Sequence, residues 1–293
     1  MVALLQGLPA KLTGSPLRRV LLAPTTQTSI QRFERTSHSS SRHNNLLNKL
    51  QRFRGSSYLA DGAIQEDDLS PDGRHAEAID LDSWHLLTLD QDEQILSCAR
   101  YHENSNPSFE STVAATCALA QHPIWQASLR SAVSNAIYSA RSRNMRFAEL
   151  GGWCVSEHCR NGSQAIRTVL SMYALGEILG GTVGLSTATM RHASAAILQK
   201  LGGCRLEDGG QPLPSYMEPK YRCEMQLLQF DTSKPSSRYA ETITSLSAEM
   251  RTSVEVLVSS SQISMTRSLI SLSEAVGTRP EPVPLSQPFL ACA

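Results

Sequence analysis

A chain of 293 residues has room for one large domain or two modest ones, and for a substantial apolar core. Its 27 Lys and Arg balance its 27 Asp and Glu, which gives no bias toward nucleic acid or a membrane surface, and no apolar run approaches the ~18 residues that span a bilayer. The seven cysteines are odd in number and lack framework spacing; Cys154 and Cys159 bracket His158, but no second pair with zinc-ligand spacing follows. We therefore expect reduced thiols, a cytoplasmic protein and no metal site.

The charge is unevenly spread. The first 60 residues hold nine Lys or Arg and a single acid, Glu34. Residues 1–43 are rich in Ser, Thr, Arg and Gln without sustained periodicity, and read as a disordered basic segment. An organellar transit peptide has a similar composition; a flexible tail is the simpler reading. The segment lacks interleaved aromatics, so no nucleic-acid partner is expected.

Leu46, Leu47, Leu50 and Phe53 recur at helical spacing and predict a helix over 44–58. An acidic, turn-rich loop follows over 61–73. Strands are predicted over 84–89 and 94–101, joined by the turn Asp90, Gln91, Asp92 and Glu93. Two helices come next: one over 109–121, and one opened by Pro123 with Ile124, Leu129, Val133 and Ile137 on one face. Residues 147–155 read as a central strand, and 164–179 as an amphipathic helix stopped by Gly180 and Gly181. A strand over 182–188, a helix over 193–201 and a strand over 222–230 complete the core pattern. Tyr239, Ile243, Leu246, Met250 and Val254 mark one more helix, and 259–293 reads as a flexible Ser- and Pro-rich tail. This order predicts an α/β protein of the α+β type, with one mixed sheet in a domain over 44–258.

The chemistry gathers between the strand over 147–155 and the helix over 164–179. Cys154 and Val155 end the strand; Arg160, Asn161, Gly162, Ser163, Gln164 and Ala165 lead into the helix. Small residues there let backbone amides crowd an anion. The helix N-terminus adds about half a positive charge, and Arg160 a full one. A phosphate or pyrophosphate suits such a turn, although a purely structural glycine turn has the same look.

A second segment, from Met190 to Gly203, runs M-R-H-A-S-A-A-I-L-Q-K-L-G-G. Together the two segments resemble the GNAT acyltransferase superfamily. Its members carry a bulged strand, an R-x-x-G-x-G/A loop, and a later N-x-x-A-x-x-x-Y-x-K-x-G-F segment. Arg160 and Ala165 match the ends of the loop pattern, with Ser163 at its first glycine; Ala195, Ala196, Lys200, Leu201 and Gly202 match the later segment. The front end resembles the acyl-homoserine-lactone synthases and long-chain N-acyl amino acid synthases, through Arg52, Arg54, Asp80 and Asp82. Three positions depart from the pattern. Leu198 stands where a tyrosine acid is usual, His192 replaces the asparagine, and Gly151-Gly152 replaces a Ser-Arg pair.

The resemblance implies a GNAT fold: a mixed, mostly antiparallel central sheet flanked by helices, with flexible tails. It implies transfer of an acyl group, fatty by the subgroup, from the phosphopantetheine thioester of acyl-CoA or acyl-ACP to a primary amine such as an amino acid. Acyl carrier protein is then a candidate partner. A short-chain acetyl-CoA enzyme and a non-catalytic thioester- or partner-binding domain are the alternatives. Glu149 is the candidate general base, or else a salt-bridged strand residue. Cys154, Val155 and residues 160–165 are the candidate donor contacts. Asp80, Asp82 and His192 are candidates for orienting the acceptor; a capped turn beside a core-edge histidine, His85, is the competing reading for the acids.

Overall fold

The computed structural model describes residues 17–26, 30–160 and 162–259. Its strands are β1 (Arg18–Leu22), β2 (Thr36–His38), β3 (Trp84–Leu89), β4 (Ile95–Glu103), β5 (Arg146–Val155), β6 (Thr182–Thr189), β7 (Cys204–Arg205), β8 (Glu207–Asp208), β9 (Gln211–Pro212), β10 (Tyr216–Glu218), β11 (Cys223–Asp231) and β12 (Glu255–Val258). Its helices are α1 (Ser40–Ala60), α2 (Gln126–Ser142), α3 (Ser163–Ile178), α4 (Ser194–Lys200) and α5 (Ala240–Thr252). Among the described residues no helix is long and apolar enough to cross a membrane.

One sheet runs β10-β11-β6-β5-β4-β3-β1-β12-β2, with β7 also on β11; β8 and β9 form a separate hairpin. Pairing is antiparallel except at β5–β6, β1–β12 and β12–β2. The expected mixed, mostly antiparallel sheet is therefore present. Its two faces are read off the alternation along the strands. On one face Leu86, Ala99, Tyr101 and Ala148 pack with Leu175 of α3 and Met250 of α5. On the other, Phe147, Leu185 and Leu227 meet Leu129, Val133 and Ile137 of α2, while Leu87, Cys98 and Cys154 meet Leu46, Leu47 and Leu50 of α1.

Local chemistry accounts for the turns predicted from sequence. Asp90 Oδ1 accepts the amides of Asp92 (2.9 Å) and Gln94 (2.8 Å) and closes the β3–β4 hairpin. Gly180 and Gly181, at φ 115° and 88°, stop α3 as expected.

Two expectations are corrected. Residues 1–43 are not a disordered segment throughout: β1 inserts between β3 and β12, with Val20, Leu21 and Leu22 fully buried, and α1 begins at Ser40. Ser39 Oγ caps that helix by accepting the Arg42 amide at 3.3 Å. Within the expected bound at residue 258 the chain also forms β12, a strand that the helical reading of 239–254 did not foresee. Residues 1–16 and 27–29, and the predicted tail over 260–293, lie outside the described residues.

The second correction concerns 109–121. In place of one helix there are three 3-10 turns, Phe109–Ser111, Val113–Thr116 and Ala118–Gln121, separated by extended backbone at Thr112 and Cys117. Thr112 Oγ1 donates to Phe109 O at 2.7 Å, and the Val113 amide is taken by a carboxylate of the sheet. A β-branched residue that satisfies its hydroxyl locally ends a helix before it can propagate.

Candidate active site

The site begins where two neighbouring strands part. β5 pairs in parallel with β6 from Arg146 opposite Thr182 to Glu149 opposite Leu185, and no further. On its other edge β5 stays paired with β4 as far as Val155, with a bulge. Cys98 opposes Cys154 and Arg100 opposes Gly151, so Gly152 and Trp153 together face Ala99. Gly152 sits at φ 58°, the left-handed conformation of a glycine bulge. The extra residue bends β5 away from β6. Backbone from Leu150 to Val155 thus loses its strand neighbour on that side and can receive an extended ligand by strand-like hydrogen bonding.

Gly152 is required there for a second reason. A Cβ at 152 would meet Arg100 Cβ at 3.3 Å and Arg54 Nη1 at 3.5 Å. We expect Gly152→Ala to destabilise the fold by about 1–2 kcal/mol from the positive φ alone, measured as a lower denaturant midpoint at unchanged m-value.

A cavity of about 40 Å³ lies in the parting, lined by Leu150, Trp153, Met172, Tyr173, Leu198 and Phe230, and touching Arg100 and Gly151. Trp153 Nε1 and Tyr173 Oη are buried without a hydrogen-bond partner among the described residues. Burial pushes the Tyr173 phenol well above its ordinary pKa.

Glu149, the last β5 residue paired with β6, is half-buried. Its Oε1 accepts the Val113 amide at 2.6 Å, and no ion pair involves it among the described residues. The salt-bridged reading is therefore not what the structure holds. Burial raises the Glu149 carboxyl above its ordinary pKa, and neither the Val113 N–H nor the Arg100 charge offsets this fully. Its cross-strand partner on β4 is His102, whose Nδ1 is 3.2 Å from Ser83 Oγ.

The loop residues divide by role. Gly162 is the N-cap of α3, with no side chain capping the helix among the described residues, and the exposed Arg160 stands two residues before it. Ala165 turns into the core. The Gln164 side chain is not a donor contact: its Nε2 donates inward to Thr88 Oγ1 (2.6 Å) and Ser97 Oγ (3.0 Å), so only its backbone remains for a ligand. Ser163 and Val155 are half-buried. Cys154 is buried, and Cys159 with it. The hydrogen bond with Cys98, with burial, pushes the Cys154 thiol well above its ordinary pKa and disfavours the thiolate. Asn161 lies outside the described residues.

The acceptor candidates are not brought together. Asp80 is buried, and both of its oxygens are occupied. Oδ1 takes Arg54 Nη1 (3.0 Å) and Arg100 Nη1 (2.9 Å); Oδ2 takes Arg54 Nη2 (2.6 Å), Gln51 Nε2 (3.0 Å) and the Glu77 amide (3.0 Å). His85 Nε2 donates to the Asp80 carbonyl at 2.8 Å. Asp80 thus braces α1 against the sheet, as the capped-turn reading has it. Asp82 is exposed and accepts from Thr26 Oγ1 at 3.3 Å. Arg52 pairs with Asp72 on the surface. His192, at φ 51°, carries its ring to Asp61, 3.5 Å from Oδ1, where Arg160 also binds. It joins the loop, away from the other two candidates' partners.

Arg100, Glu77, His102, Tyr173 and Asp61 were not foreseen as site residues. The one signal for the β4 pair is polar residues at alternate positions, Arg100 and His102, in a strand whose first five residues are buried.

No protein-family model matches the sequence, and comparison with curated proteins gives no match. Among solved structures the chain is similar to BjaI, a CoA-dependent acyl-homoserine lactone synthase. That likeness holds to its complex with SAM and isopentyl-CoA and to its complex with MTA: TM-score 0.52, 13% identity, 87% of this chain and 100% of that one in each case. Lower-scoring likenesses are to another CoA-dependent acyl-homoserine lactone synthase, MesI (TM-score 0.46, 13% identity, 79% and 95% covered), and to FeeM, an N-acyl amino acid synthase from uncultured soil microbes (0.41, 10%, 74% and 93%). The fold is the one found in the acyl-homoserine lactone synthase BjaI, in line with the subgroup resemblance read from the sequence.

Proposed function

We propose that this chain is an N-acyltransferase that moves an acyl group from a phosphopantetheine thioester to a small primary amine such as an amino acid. The observation that carries this reading is the parting of β5 from β6 immediately beyond Glu149, with the N-terminus of α3 and Arg160 following β5 in the chain. A pantetheine arm fits along the unpaired β5 edge. Its phosphate then falls to the first-turn amides of α3, at Ser163, Gln164 and Ala165, and to Arg160, while the Gly162 N–H already donates to Cys159 O at 3.1 Å. Acyl-CoA is the donor to test first, given the isopentyl-CoA bound by BjaI; an acyl carrier protein presents the same arm and phosphate.

The chemistry needs no acyl-enzyme. The amine nitrogen attacks the thioester carbonyl, its proton passes to Glu149, and the C–S bond breaks as the thiolate leaves. Backbone amides near Trp153 to Val155 can bind the developing oxyanion. A thiolate leaves readily, so Leu198 in place of an acid is tolerable.

The cavity lined by Leu150, Leu198 and Phe230 is the place for the acyl group, and the length of chain it takes is read by experiment. The discriminating measurement is release of free thiol from acyl-CoAs of two to sixteen carbons against a panel of amines, with about ten amino acids among them. Turnover with none of them, despite donor binding, overturns the catalytic reading in favour of a thioester-binding domain.

Arg160→Ala should raise the donor KM about tenfold with kcat nearly unchanged, since one partly exposed charge–phosphate contact is worth about 1–2 kcal/mol. An unchanged KM overturns the placement of the phosphate.

A further inference from the structure

Three basic side chains from two separate loops converge on Asp61. Arg160 Nη2, from the β5–α3 loop, lies 3.0 Å from its Oδ1, and His192 Nε2, from the β6–α4 loop, lies 3.5 Å from the same atom. Arg191 Nη1 donates to the Asp61 carbonyl at 2.8 Å, and its Nη2 to Arg222 O at 2.9 Å. Asp61 is the C-cap of the 21-residue helix α1, whose last turn contains no basic residue. An acid at a helix C-terminus faces the negative end of the helix dipole, so its own helix does not favour the charge. What holds it is the basic cluster of the other two loops. The consecutive left-handed residues His192 (φ 51°) and Ala193 (φ 56°) turn the chain there so that the imidazole reaches it.

We infer that Asp61 is an internal competitor for the donor's phosphate: it occupies Arg160 in the ligand-free protein, and the incoming phosphate displaces it. This inference rests on the donor placement proposed above. The guanidinium that would bind phosphate already binds a carboxylate, about one-quarter exposed and thus open to exchange. Two effects act in the same direction. Releasing Arg160 costs the existing ion pair, and the freed carboxylate stays near an anion that it repels. Asp61 therefore weakens the binding of donor and thiol product alike. Weak uniform binding does not lower the chemical rate, and it hastens departure of the product when Asp61 recaptures Arg160. Asp61 is in this sense an affinity-setting residue, coupling the end of α1 to the state of the donor loop.

The test is titration calorimetry with coenzyme A on the full chain and on three variants: Asp61→Asn, Arg160→Ala and the double variant. Asparagine keeps the shape of the side chain and is accepted at helix ends, so the fold is retained, and a thermal melt of each variant checks this. Asp61→Asn should tighten coenzyme A binding about three- to fivefold, the range of one surface ion pair. That gain should disappear in the Arg160→Ala background, and 4′-phosphopantetheine should repeat the pattern. Weaker or unchanged binding in Asp61→Asn, with Arg160→Ala still impaired, overturns the competitor role and leaves the donor site standing. Unchanged binding in Arg160→Ala removes the phosphate from this loop altogether, and the inference falls with it. A gain that persists without Arg160 means that Asp61 acts by general repulsion, and overturns the competition for this arginine.

Discussion

Glu149→Gln should give a folded, donor-binding protein whose acyl-transfer rate is lower by roughly 10²- to 10⁴-fold. The geometry makes this a clean substitution. Glu149 makes no ion pair among the described residues, so no partner charge is stranded. The amide oxygen of glutamine can still accept the Val113 N–H, which keeps the 3-10 turn over Val113–Thr116 seated on β5. Only the capacity to take a proton is lost. The pH–rate profile adds a second readout. Burial holds the Glu149 carboxyl above the ordinary glutamate value, so in the wild type the rate should fall as pH drops through that raised pKa. In the variant this acidic limb should vanish. A variant that keeps both its stability and its rate would sink the assignment and send the proton elsewhere, with His102 on the adjacent strand the first position to test.

The largest effect on stability is expected at Asp80. Asp80→Ala leaves the Arg54 and Arg100 guanidinium groups without the carboxylate they share, in a site where the Asp80 side chain is 1% exposed. Removing one partner of a buried charge pair costs about 3–5 kcal/mol, because the desolvation of the other is no longer offset. Unfolding in urea at neutral pH is the direct measurement. The pH dependence gives the sign. Burial pushes the Asp80 carboxyl up, but the hydrogen bonds and charge of Arg54, with the charge of Arg100, outweigh it and hold the group well below the usual carboxylate range. Its stabilisation is therefore complete above the unfolded-state pKa of about 4, and is lost as pH falls below that toward the folded-state value. Wild type and variant should converge in stability as the medium is acidified. A variant as stable as the wild type at pH 7 would show that the network contributes nothing net.

Much of the framework was legible because it rests on local chemistry. The β3–β4 hairpin follows from Asp90 capping its own turn, α3 from an apolar stripe closed by two glycines, and the sheet's mixed character from the order of elements. The two site features that were legible are likewise local: an anion-suited loop before a helix, and a carboxylate on the central strand. β1 was not legible. Four apolar residues in a polar stretch carry no period, and their burial depends on strand partners such as Leu87 and Glu255, far away in sequence.

The sequence settles which residue types stand at the turns, caps and apolar faces, because those preferences act within one or two helical turns. Tertiary structure alone decides what a charged side chain is for. Asp80 and Asp82 are two residues apart and look alike on paper. One is wrapped by two arginines and braces α1; the other is exposed and hydrogen-bonded to Thr26. Gln164 likewise reads as part of a donor loop until β3 and β4 bring Thr88 and Ser97 to its amide. The physical reason is the same in each case. A carboxylate, amide or guanidinium takes its role from the nearest opposite charge or open acceptor, and from the water it has lost. Both are set by segments that meet only when the chain is folded.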